Sequence, residues 1–279
     1  MRSALVTGSS TGIGRATALR LDAAGWRVFA GVRREEDAES LRVAGSERIV
    51  PLLLDVTDPD QVAVAAARVE AEGEGGLDGL VNNAGVAIPA PLETIPVEDF
   101  RRQIEVNLIA QVAVTQALLP AIRRAHGRVV FIASIGGRIA FPLNGPYHAA
   151  KFGIEAVGDV FRQELRPWGL RVSIVEPGSI ATPIWERGTS TAEAVQERAG
   201  PRQEALYGQA MERLREVARE LSERGIPPEK VAAKIEHALT SPRPRSRYLV
   251  GIDAQVQARL KPLIPTPLFD RIVSRMMGL

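Results

Sequence analysis

The sequence contains no cysteine among its 279 residues, and it contains only three histidines. The absence of cysteine excludes disulfide frameworks, thiolate metal sites and redox dithiols. The histidines, His126, His148 and His237, are scattered along the chain and show no ligand spacing. We therefore predict no metal site, because a protein metal site needs several ligating side chains close together.

Strong charge of one sign and long apolar runs are lacking as well. The net charge is +2 with no long basic run, which argues against a nucleic-acid partner. Glu105, Asn107, Gln111 and Gln116 interrupt the fairly apolar residues 104–122, so no transmembrane segment is predicted. The N-terminus is too short and too glycine-rich for a signal peptide, and we expect a cytoplasmic protein.

What is present is a regular alternation of two patterns. Hydrophobic residues make up 45% of the chain, enough for a sizeable core. Short apolar runs, from residues 4–6 to residues 247–252, alternate with helical patterns. This order predicts an α/β fold: a single Rossmann-type domain over residues 1–279, with a doubly wound, mostly parallel seven-stranded sheet and helices on both faces.

The first strand leads into a glycine-rich turn, residues 7–14, and then into a helical pattern. Glycines let the backbone approach a pyrophosphate, and the helix N-terminus offers free N–H groups and a positive dipole end. The next strand ends at Val32 and is followed by Arg33, where an acidic residue would bind a ribose 2′-hydroxyl. Arginine suits a 2′-phosphate, which favours NADP(H), and Thr11 would add a hydroxyl contact. If Arg33 is instead a solvated surface residue, NAD(H) is the alternative cofactor.

Three side chains with acid–base chemistry occur together near the middle of the chain. Tyr147 and Lys151 are four residues apart, on one face of a helix, and a neighbouring ammonium group favours loss of the phenol proton. Ser134 ends the apolar run 129–133, at the carboxyl end of a predicted strand. Asn107 lies within an apolar helical pattern, where an asparagine amide competes with the backbone and needs a hydrogen-bond partner or a function. The alternatives are an incidental Tyr–Lys pair on a surface helix and a solvated Asn107.

Together with Asn82-Asn83-Ala84-Gly85 and Pro177-Gly178-x-x-x-Thr182, these features resemble the short-chain dehydrogenase/reductase family over nearly the whole chain. The resemblance implies that Asn107, Ser134, Tyr147 and Lys151 form a catalytic tetrad. Tyr147 would be the general acid/base, and Ser134 would bind the substrate oxygen. Lys151, with the positively charged nicotinamide, would lower the pKa of Tyr147, and it would also hold the nicotinamide ribose. Asn107 would hold a water that links Lys151 to solvent.

The resemblance also implies a set of cofactor contacts around the glycine turn, the adenine, the sheet edge and the nicotinamide. These residues are Gly8, Ser10, Thr11, Gly12, Ile13, Gly14, Arg33, Asp55, Val56, Asn83, Ala84, Gly85, Tyr147, Lys151, Pro177, Gly178, Ile180 and Thr182.

The family's segment after Thr182 covers the substrate, so residues 183–225 are predicted to form a lid. The candidate lining residues are apolar or aromatic: Phe141, Leu143, Ile184, Trp185, Tyr207 and Met211. They favour a hydrophobic ketone or aldehyde and its alcohol, steroid-, retinoid- or lipid-like, although helix packing alone would also explain the lid residues.

The remaining expectations concern assembly and alternatives. The C-terminal extension, residues 253–279, is expected to pack on the body; closing the pocket or lying on a membrane surface are alternatives. By analogy we expect a homodimer through helices 97–124 and 147–166, with a tetramer as the alternative. An NAD(H)-preferring dehydrogenase and a non-catalytic NADP(H)-binding regulator are the competing functions.

Overall fold

The computed structural model describes residues 1–73 and 75–279, and the side chains of residues 185–187 lie outside that description. Seven strands form one sheet in the order β3-β2-β1-β4-β5-β6-β7, and every neighbouring pair is parallel. The strands are β1 (Ser3–Val6), β2 (Arg27–Val32), β3 (Ile49–Leu53), β4 (Gly79–Asn82), β5 (Arg128–Ile132), β6 (Arg171–Pro177) and β7 (Arg247–Val250). The predicted parallel, seven-stranded α/β fold is confirmed.

Helices cover both faces of the sheet. In chain order they are α1 (Gly12–Ala23), α2 (Glu35–Ala44), α3 (Pro59–Glu72), α4 (Val97–Ile104), α5 (Ala110–Arg124), α6 (Gly145–Glu164), α7 (Ile184–Ala199), α8 (Pro201–Arg224), α9 (Pro228–Thr240), α10 (Ile252–Leu260) and α11 (Thr266–Met277). The strands are apolar on both sides because two separate apolar clusters, one on each face, bury them.

The strand order reverses between β1 and β4, and this reversal positions the site. From β1 the chain winds outward through β2 to β3 on one side, and from β4 through β5 and β6 to β7 on the other. Crossovers on the two sides leave a crevice at the carboxyl ends of the central strands, where α/β proteins bind ligands.

The long helical pattern over residues 97–124 is interrupted once. A π-helical turn, Glu105–Ile109, joins α4 to α5, and Asn107 lies within it. By length and composition alone the whole stretch Val97–Arg124 is apolar enough to cross a membrane. In this fold it packs against α3, α6 and β4, as a core helix does.

The lid and the tail differ in detail from the sequence patterns. The lid consists of two helices, α7 and α8, because Gly200 turns the chain at φ +76° and Pro201 starts the next helix. The proline-broken tail forms α10 and α11. Phe269, Val273 and Met277 of α11 pack with Met211 of α8, which agrees with the expected packing on the body.

Candidate active site

The glycine turn between β1 and α1 is shaped for close approach to its backbone. Gly8 and Gly12 have φ of +66° and +55°, a region that side-chain-bearing residues rarely adopt. A Cβ on Gly14 would overlap the carbonyl oxygen of Gly8. Thr11 makes no side-chain cap to α1, so the first N–H groups of this helix stay available to an anion.

The Asn-Asn-Ala-Gly segment after β4 holds this turn in place. The Asn83 amide donates to the carbonyl oxygens of Thr7 and Gly8 at 2.9 and 3.0 Å. The Thr7 hydroxyl oxygen accepts from the backbone N–H groups of Asn83 and Ala84 at 2.9 and 3.0 Å. Thr7 was missing from the predicted site residues, although it directly precedes the first glycine. The cofactor turn is therefore fixed by side chains from two strand ends.

Arg33 and Arg34 follow β2 but differ in their surroundings. Arg34 pairs with Asp37 at 3.0 Å. Among residues 1–73 and 75–279, no described carboxylate lies within 4 Å of the exposed Arg33 guanidinium. The pKa of Asp55 lies below its usual value: burial raises it, but hydrogen bonds from Thr57 and the nearby Arg33 charge lower it. Arg33 is thus a cation available to a ligand at this edge, and the Arg102 charge also acts on Asp55.

Asp55 and Val56, the two predicted adenine contacts, also make contacts within the protein. The Asp55 carboxylate accepts from the backbone N–H and hydroxyl of Thr57 at 3.0 and 2.7 Å. The Val56 side chain is buried in the apolar core, which leaves its backbone to face a ligand.

The segment after β6 returns to the glycine turn. A Cβ built on Gly12 would lie 3.0 Å from the Thr182 methyl carbon, so the two predicted cofactor segments meet. The Asp253 carboxylate accepts from the N–H of Ser179 at 2.7 Å and leaves no room for a side chain at Gly178. Ile180 is buried and its segment pairs with Ile226, directly after the lid.

Ser134, Tyr147 and Lys151 come together at the carboxyl end of β5. The Ser134 hydroxyl oxygen accepts from the Gly136 N–H at 3.0 Å, and this hydroxyl is the polar neighbour that acts on the pKa of Tyr147. The Lys151 ammonium nitrogen lies 5.7 Å from the centroid of the Tyr147 ring and donates to the Ile132 carbonyl oxygen at 2.7 Å. The sequence therefore identified a serine, a phenol and an ammonium group that do converge.

The electrostatics of this trio differ from the expectation in one respect. Burial raises the pKa of Tyr147, and only the hydrogen bond with Ser134 opposes that rise. Burial lowers the pKa of Lys151 to about 8, against the attraction of Glu155. In the protein alone burial therefore sets the direction of the Tyr147 pKa, and the lowering expected from Lys151 together with the nicotinamide stays a prediction.

Asn107 is fully buried, and its side chain is committed to the backbone. Its amide oxygen accepts from the Val86 N–H at 2.8 Å, and its amide nitrogen donates to the Val86 carbonyl at 2.9 Å. Gln103, one turn earlier, donates to the same carbonyl at 2.6 Å and accepts from Ile88. The solvated alternative for Asn107 is wrong. Gln103 was missed, though its spacing of four from Asn107 was visible.

A buried ionic cluster, also missed, lies behind the trio. Glu176 of β6 is fully buried and binds Arg138 through two bonds of 2.8 Å. Arg247 of β7 lies 3.1 Å from Glu155 and 3.2 Å from Glu176. Burial and the neighbouring Glu176 raise the pKa of Glu155 to about 7. The four residues are far apart in the sequence, so no local sequence pattern could predict this cluster.

The predicted substrate-lining residues mostly gather in one place. Phe141, Leu143, Tyr207 and Met211 belong to one apolar cluster between the loop before α6, the lid and α11. Met211 and Leu143 are buried there. For Met211 this agrees with the alternative that helix packing alone explains the lid residues. Ile184 is half-buried at the start of the lid, and the Trp185 side chain lies outside the described residues.

Tyr207 combines two environments. Its ring joins the apolar cluster, whereas its hydroxyl donates to Glu93 at 2.8 Å on the exposed rim. The Glu93 carboxylate also raises the pKa of this phenol. Tyr207 therefore fastens the lid in addition to facing the cluster.

The chain resembles known proteins in sequence and in fold. A family model described as short chain dehydrogenase matches residues 2–193. The chain is 41% identical to retinol dehydrogenase 5 of Mus musculus, over 96% of this chain and 86% of that protein. It is 36% identical to an NADPH-dependent 3-dehydrocapnine reductase of Ornithobacterium rhinotracheale, over 98% and 96%. A short chain dehydrogenase from Burkholderia cenocepacia, solved in complex with NADP, superposes with a TM-score of 0.74 at 26% identity, over 97% and 98% of the two chains.

Proposed function

The chain belongs to the short-chain dehydrogenase family and is an oxidoreductase that acts on alcohols or carbonyls; from this premise we propose that it uses NADP(H) and interconverts an apolar ketone or aldehyde and its alcohol. The observation that carries the proposal is the convergence of Ser134, Tyr147 and Lys151 at the carboxyl end of β5, two strands from the glycine turn that follows β1. When bound, the cofactor supplies or accepts the hydride. The side chains supply the proton and the charge stabilisation.

Tyr147 is the group placed to exchange a proton with the substrate oxygen. In reduction it donates the phenol proton as a general acid, and in oxidation its phenolate accepts one as a general base. Ser134 offers a second hydrogen bond to the same oxygen and so stabilises charge that develops there. Since burial raises the pKa of Tyr147, the protein alone favours the protonated form, the one that reduction needs.

Lys151 keeps most of its charge near neutral pH with a pKa of about 8. Its role toward the cofactor is to donate hydrogen bonds to the nicotinamide ribose while it stays anchored to the Ile132 carbonyl. Asn107 acts differently from the expectation, since both polar atoms of its amide hold Val86. A relay water near Lys151 would therefore bind the backbone of the π-helical turn.

NADP(H) is favoured over NAD(H) by charge at the end of β2. The Arg33 guanidinium is exposed, carries no described carboxylate partner within 4 Å, and has the donor geometry for a phosphate. A relative named NADPH-dependent and a similar structure in complex with NADP support the same choice. The other cofactor contacts follow the turn from Gly8 to Gly14.

An apolar substrate is favoured by the walls of the site. The loop before α6 contributes Phe141, and the apolar cluster that Phe141 joins includes Met211 and Tyr207 of the lid. A relative named retinol dehydrogenase, 41% identical, supports a retinoid-like or lipid-like substrate class.

The proposed assembly is a homodimer in the cytoplasm, built through α4, α5 and α6. Ile109 of the π-helical turn and Phe152 and Val160 of α6 are 49%, 45% and 49% exposed, and these apolar side chains are suited to contact with a partner helix. Sedimentation equilibrium tests the assembly: a monomer at micromolar concentration would contradict it.

Replacing Tyr147 with phenylalanine tests the proposed chemistry. We expect Tyr147→Phe to lower kcat for apolar ketone reduction by about 100- to 10,000-fold, because the proton donor is lost. NADPH affinity, measured by fluorescence titration, should stay close to that of the wild type.

The matched control is Tyr248→Phe, a buried tyrosine of β7 whose hydroxyl bonds His237 and the Arg245 N–H. It should retain turnover. Unchanged turnover in Tyr147→Phe would refute the assigned chemistry. Tight NADPH binding with no turnover of any carbonyl by the wild type would indicate the non-catalytic regulator instead.

A further inference from the structure

His148 follows Tyr147 directly and lies almost fully buried behind the catalytic loop. Its Nδ1 lies 2.8 Å from the Gly136 carbonyl oxygen. Its Nε2 accepts from the Phe141 N–H at 3.0 Å. A carbonyl can only accept and an N–H can only donate, so these two partners require a neutral imidazole with its proton on Nδ1.

The Gly136 contact reaches the catalytic serine. The N–H of Gly136 donates to the Ser134 hydroxyl oxygen at 3.0 Å, while its carbonyl accepts from His148. With one lone pair of that oxygen engaged, the Ser134 proton is left free to point at Tyr147 or at a substrate. A Cβ on Gly136 would lie 3.1 Å from His148 Nδ1 and 3.2 Å from the Tyr147 ring, so these groups pack without slack.

The Phe141 contact reaches the substrate side. Phe141 lies 5.9 Å from the His148 ring and 6.1 Å from Phe269 of α11, by centroid distance, and it joins the apolar cluster beneath the lid. One imidazole therefore ties together the serine loop, the tyrosine helix and an apolar wall of the substrate site.

From this geometry we infer that His148 is a positioning residue: its neutral Nδ1–H tautomer fixes the Ser134 hydroxyl and the Phe141 wall relative to Tyr147, and its protonation releases the Phe141 segment. The inference rests on the proposed function for its kinetic consequence. Protonation places an N–H at Nε2 against the Phe141 N–H, which turns a hydrogen bond into a contact between two donors.

The surroundings of His148 favour the neutral ring, but the ring can still exchange protons with solvent. Burial lowers the pKa of His148, and the Gly136 carbonyl opposes that shift. The ring lines an open cavity of about 540 Å³ under α11, through which solvent reaches it. Asp270 lines the same cavity. The charged or titratable groups on the elements around His148 are Tyr147, Lys151, Glu155, Asp159, Arg162 and Glu164 of α6, Asp270, Arg271 and Arg275 of α11, and Arg138 after the serine loop. Because the folded-state pKa lies below the unfolded one, the clamp is intact at neutral pH and is lost as the pH falls through the folded-state value.

Glutamine and phenylalanine substitutions separate hydrogen bonding from shape. A glutamine amide offers one donor and one acceptor and cannot be protonated in this range. In wild type we expect kcat/KM for ketone reduction to fall below about pH 6.5, because protonation of His148 releases the Phe141 segment. Tyr147 cannot cause this fall, because reduction needs its protonated form and acid keeps it protonated. His148→Gln should lose this acid limb.

His148→Phe should lower kcat at every pH by up to about 100-fold, the effect of a roughly 1 Å displacement of reacting groups. Its NADPH affinity should not change, since the glycine turn is untouched. His237→Gln is the matched control: His237 also has a hydrogen-bonded ring, to Tyr248 at 2.9 Å, but lies on α9. It should keep the wild-type pH profile.

Nitrogen-15 spectra of the histidine rings give a readout that needs no turnover. His148 should appear as the neutral Nδ1–H tautomer at pH 7 and become imidazolium only below about pH 6.5. An Nε2–H tautomer or an imidazolium at pH 7 would overturn the inference. An unchanged acid limb in His148→Gln, or full activity in His148→Phe, would overturn it as well. An inactive wild type would instead count against the proposed function, and the spectra would still decide the role of His148.

Discussion

The catalytic floor, formed by Ser134, Tyr147 and Lys151, and the lid, residues 183–225, are held by different kinds of contact. The floor depends on buried side chains that bond the backbone, such as Lys151 to the Ile132 carbonyl. The lid is fastened at its rim by charged and polar pairs: Arg198 with Asp99, Arg202 and Tyr207 with Glu93, and Thr94 with Gln203.

This difference separates reaction from specificity. Breaking a buried hydrogen bond leaves an unsatisfied polar group, which costs about 1–3 kcal/mol, whereas an exposed ion pair contributes about 0–1 kcal/mol. The floor therefore has one well-defined arrangement, as proton transfer requires. In the proposed lid, the pairs of Arg202 and Tyr207 with Glu93 are exposed and can be exchanged at little cost, whereas Asp99 and Gln203 are buried and hold their contacts more firmly.

The largest effect is expected from Lys151→Met in the floor. Activity should fall by about 100-fold or more, because the residue that holds the nicotinamide ribose is gone. Lys151→Met also loses the hydrogen bond to the Ile132 carbonyl, which costs about 1–3 kcal/mol. At pH 7 the relief from no longer burying a charge should outweigh this loss and leave the variant slightly more stable than wild type. The folded-state pKa of about 8 lies below the ordinary value of 10.5, so the charged form is disfavoured in the folded protein.

The sign of the pH dependence checks this cause. Wild-type stability should fall as the pH drops from about 10.4 to about 8 and level off below, while Lys151→Met lacks that fall. Urea unfolding at several pH values measures it. Lys230→Met, at an exposed position on α9, should follow the wild type. A destabilised Lys151→Met at pH 7 would contradict the argument.

Arg33 gives an intermediate case that separates position from exposure. It lies at the same edge of the sheet as the floor but is exposed like the rim of the lid. Arg33→Ala should weaken NADPH binding about tenfold, because one charge-assisted contact contributes about 1.5 kcal/mol, and should leave NADH binding unchanged.

The neighbouring Arg34→Ala is the matched control for that measurement. Arg34 is occupied by Asp37 at 3.0 Å and should not affect the preference for NADPH. Equal losses in both variants would mean that general charge, and not a specific phosphate contact, determines cofactor binding at this edge.

The smallest effect is expected from Glu93→Gln at the lid rim. The exchange removes the ion pair with Arg202 and weakens the bond from Tyr207. KM for an apolar ketone should rise about twofold to fivefold with kcat nearly unchanged, and the difference should shrink at 0.5 M salt, where exposed charges are screened. A large loss of kcat would show that the lid contributes to chemistry, which would remove the contrast with the floor.

The sequence alone was sufficient for the parts of the molecule encoded locally. Alternating apolar runs predicted all seven strands, and spacing brought Tyr147 and Lys151 to one face of α6. The glycine turn and Asn83 were also identified, although the hydrogen bonds that join them were not. These features succeed because each rests on neighbours within a few residues.

Features that depend on distant contacts could not be predicted. Arg138 pairs with Glu176, and Arg247 pairs with Glu155, only when the loop after β5, α6, β6 and β7 have packed together. The break at Gly200 divides a pattern that periodicity made continuous. His148 was set aside because no second histidine accompanied it, whereas its partners are backbone atoms, which leave no mark on side-chain patterns.

The π-helical turn at Glu105–Ile109 has a consequence for chain length. Such a turn contains one residue more than an α-helical turn would. Deleting one residue there would restore a regular helix and remove the wider turn on which Asn107 lies. The spacing of Gln103 and Asn107 would change, and both could no longer reach Val86. The stretch should accept substitutions on its exposed face and reject a single-residue deletion, even though the deletion would make the helix more regular.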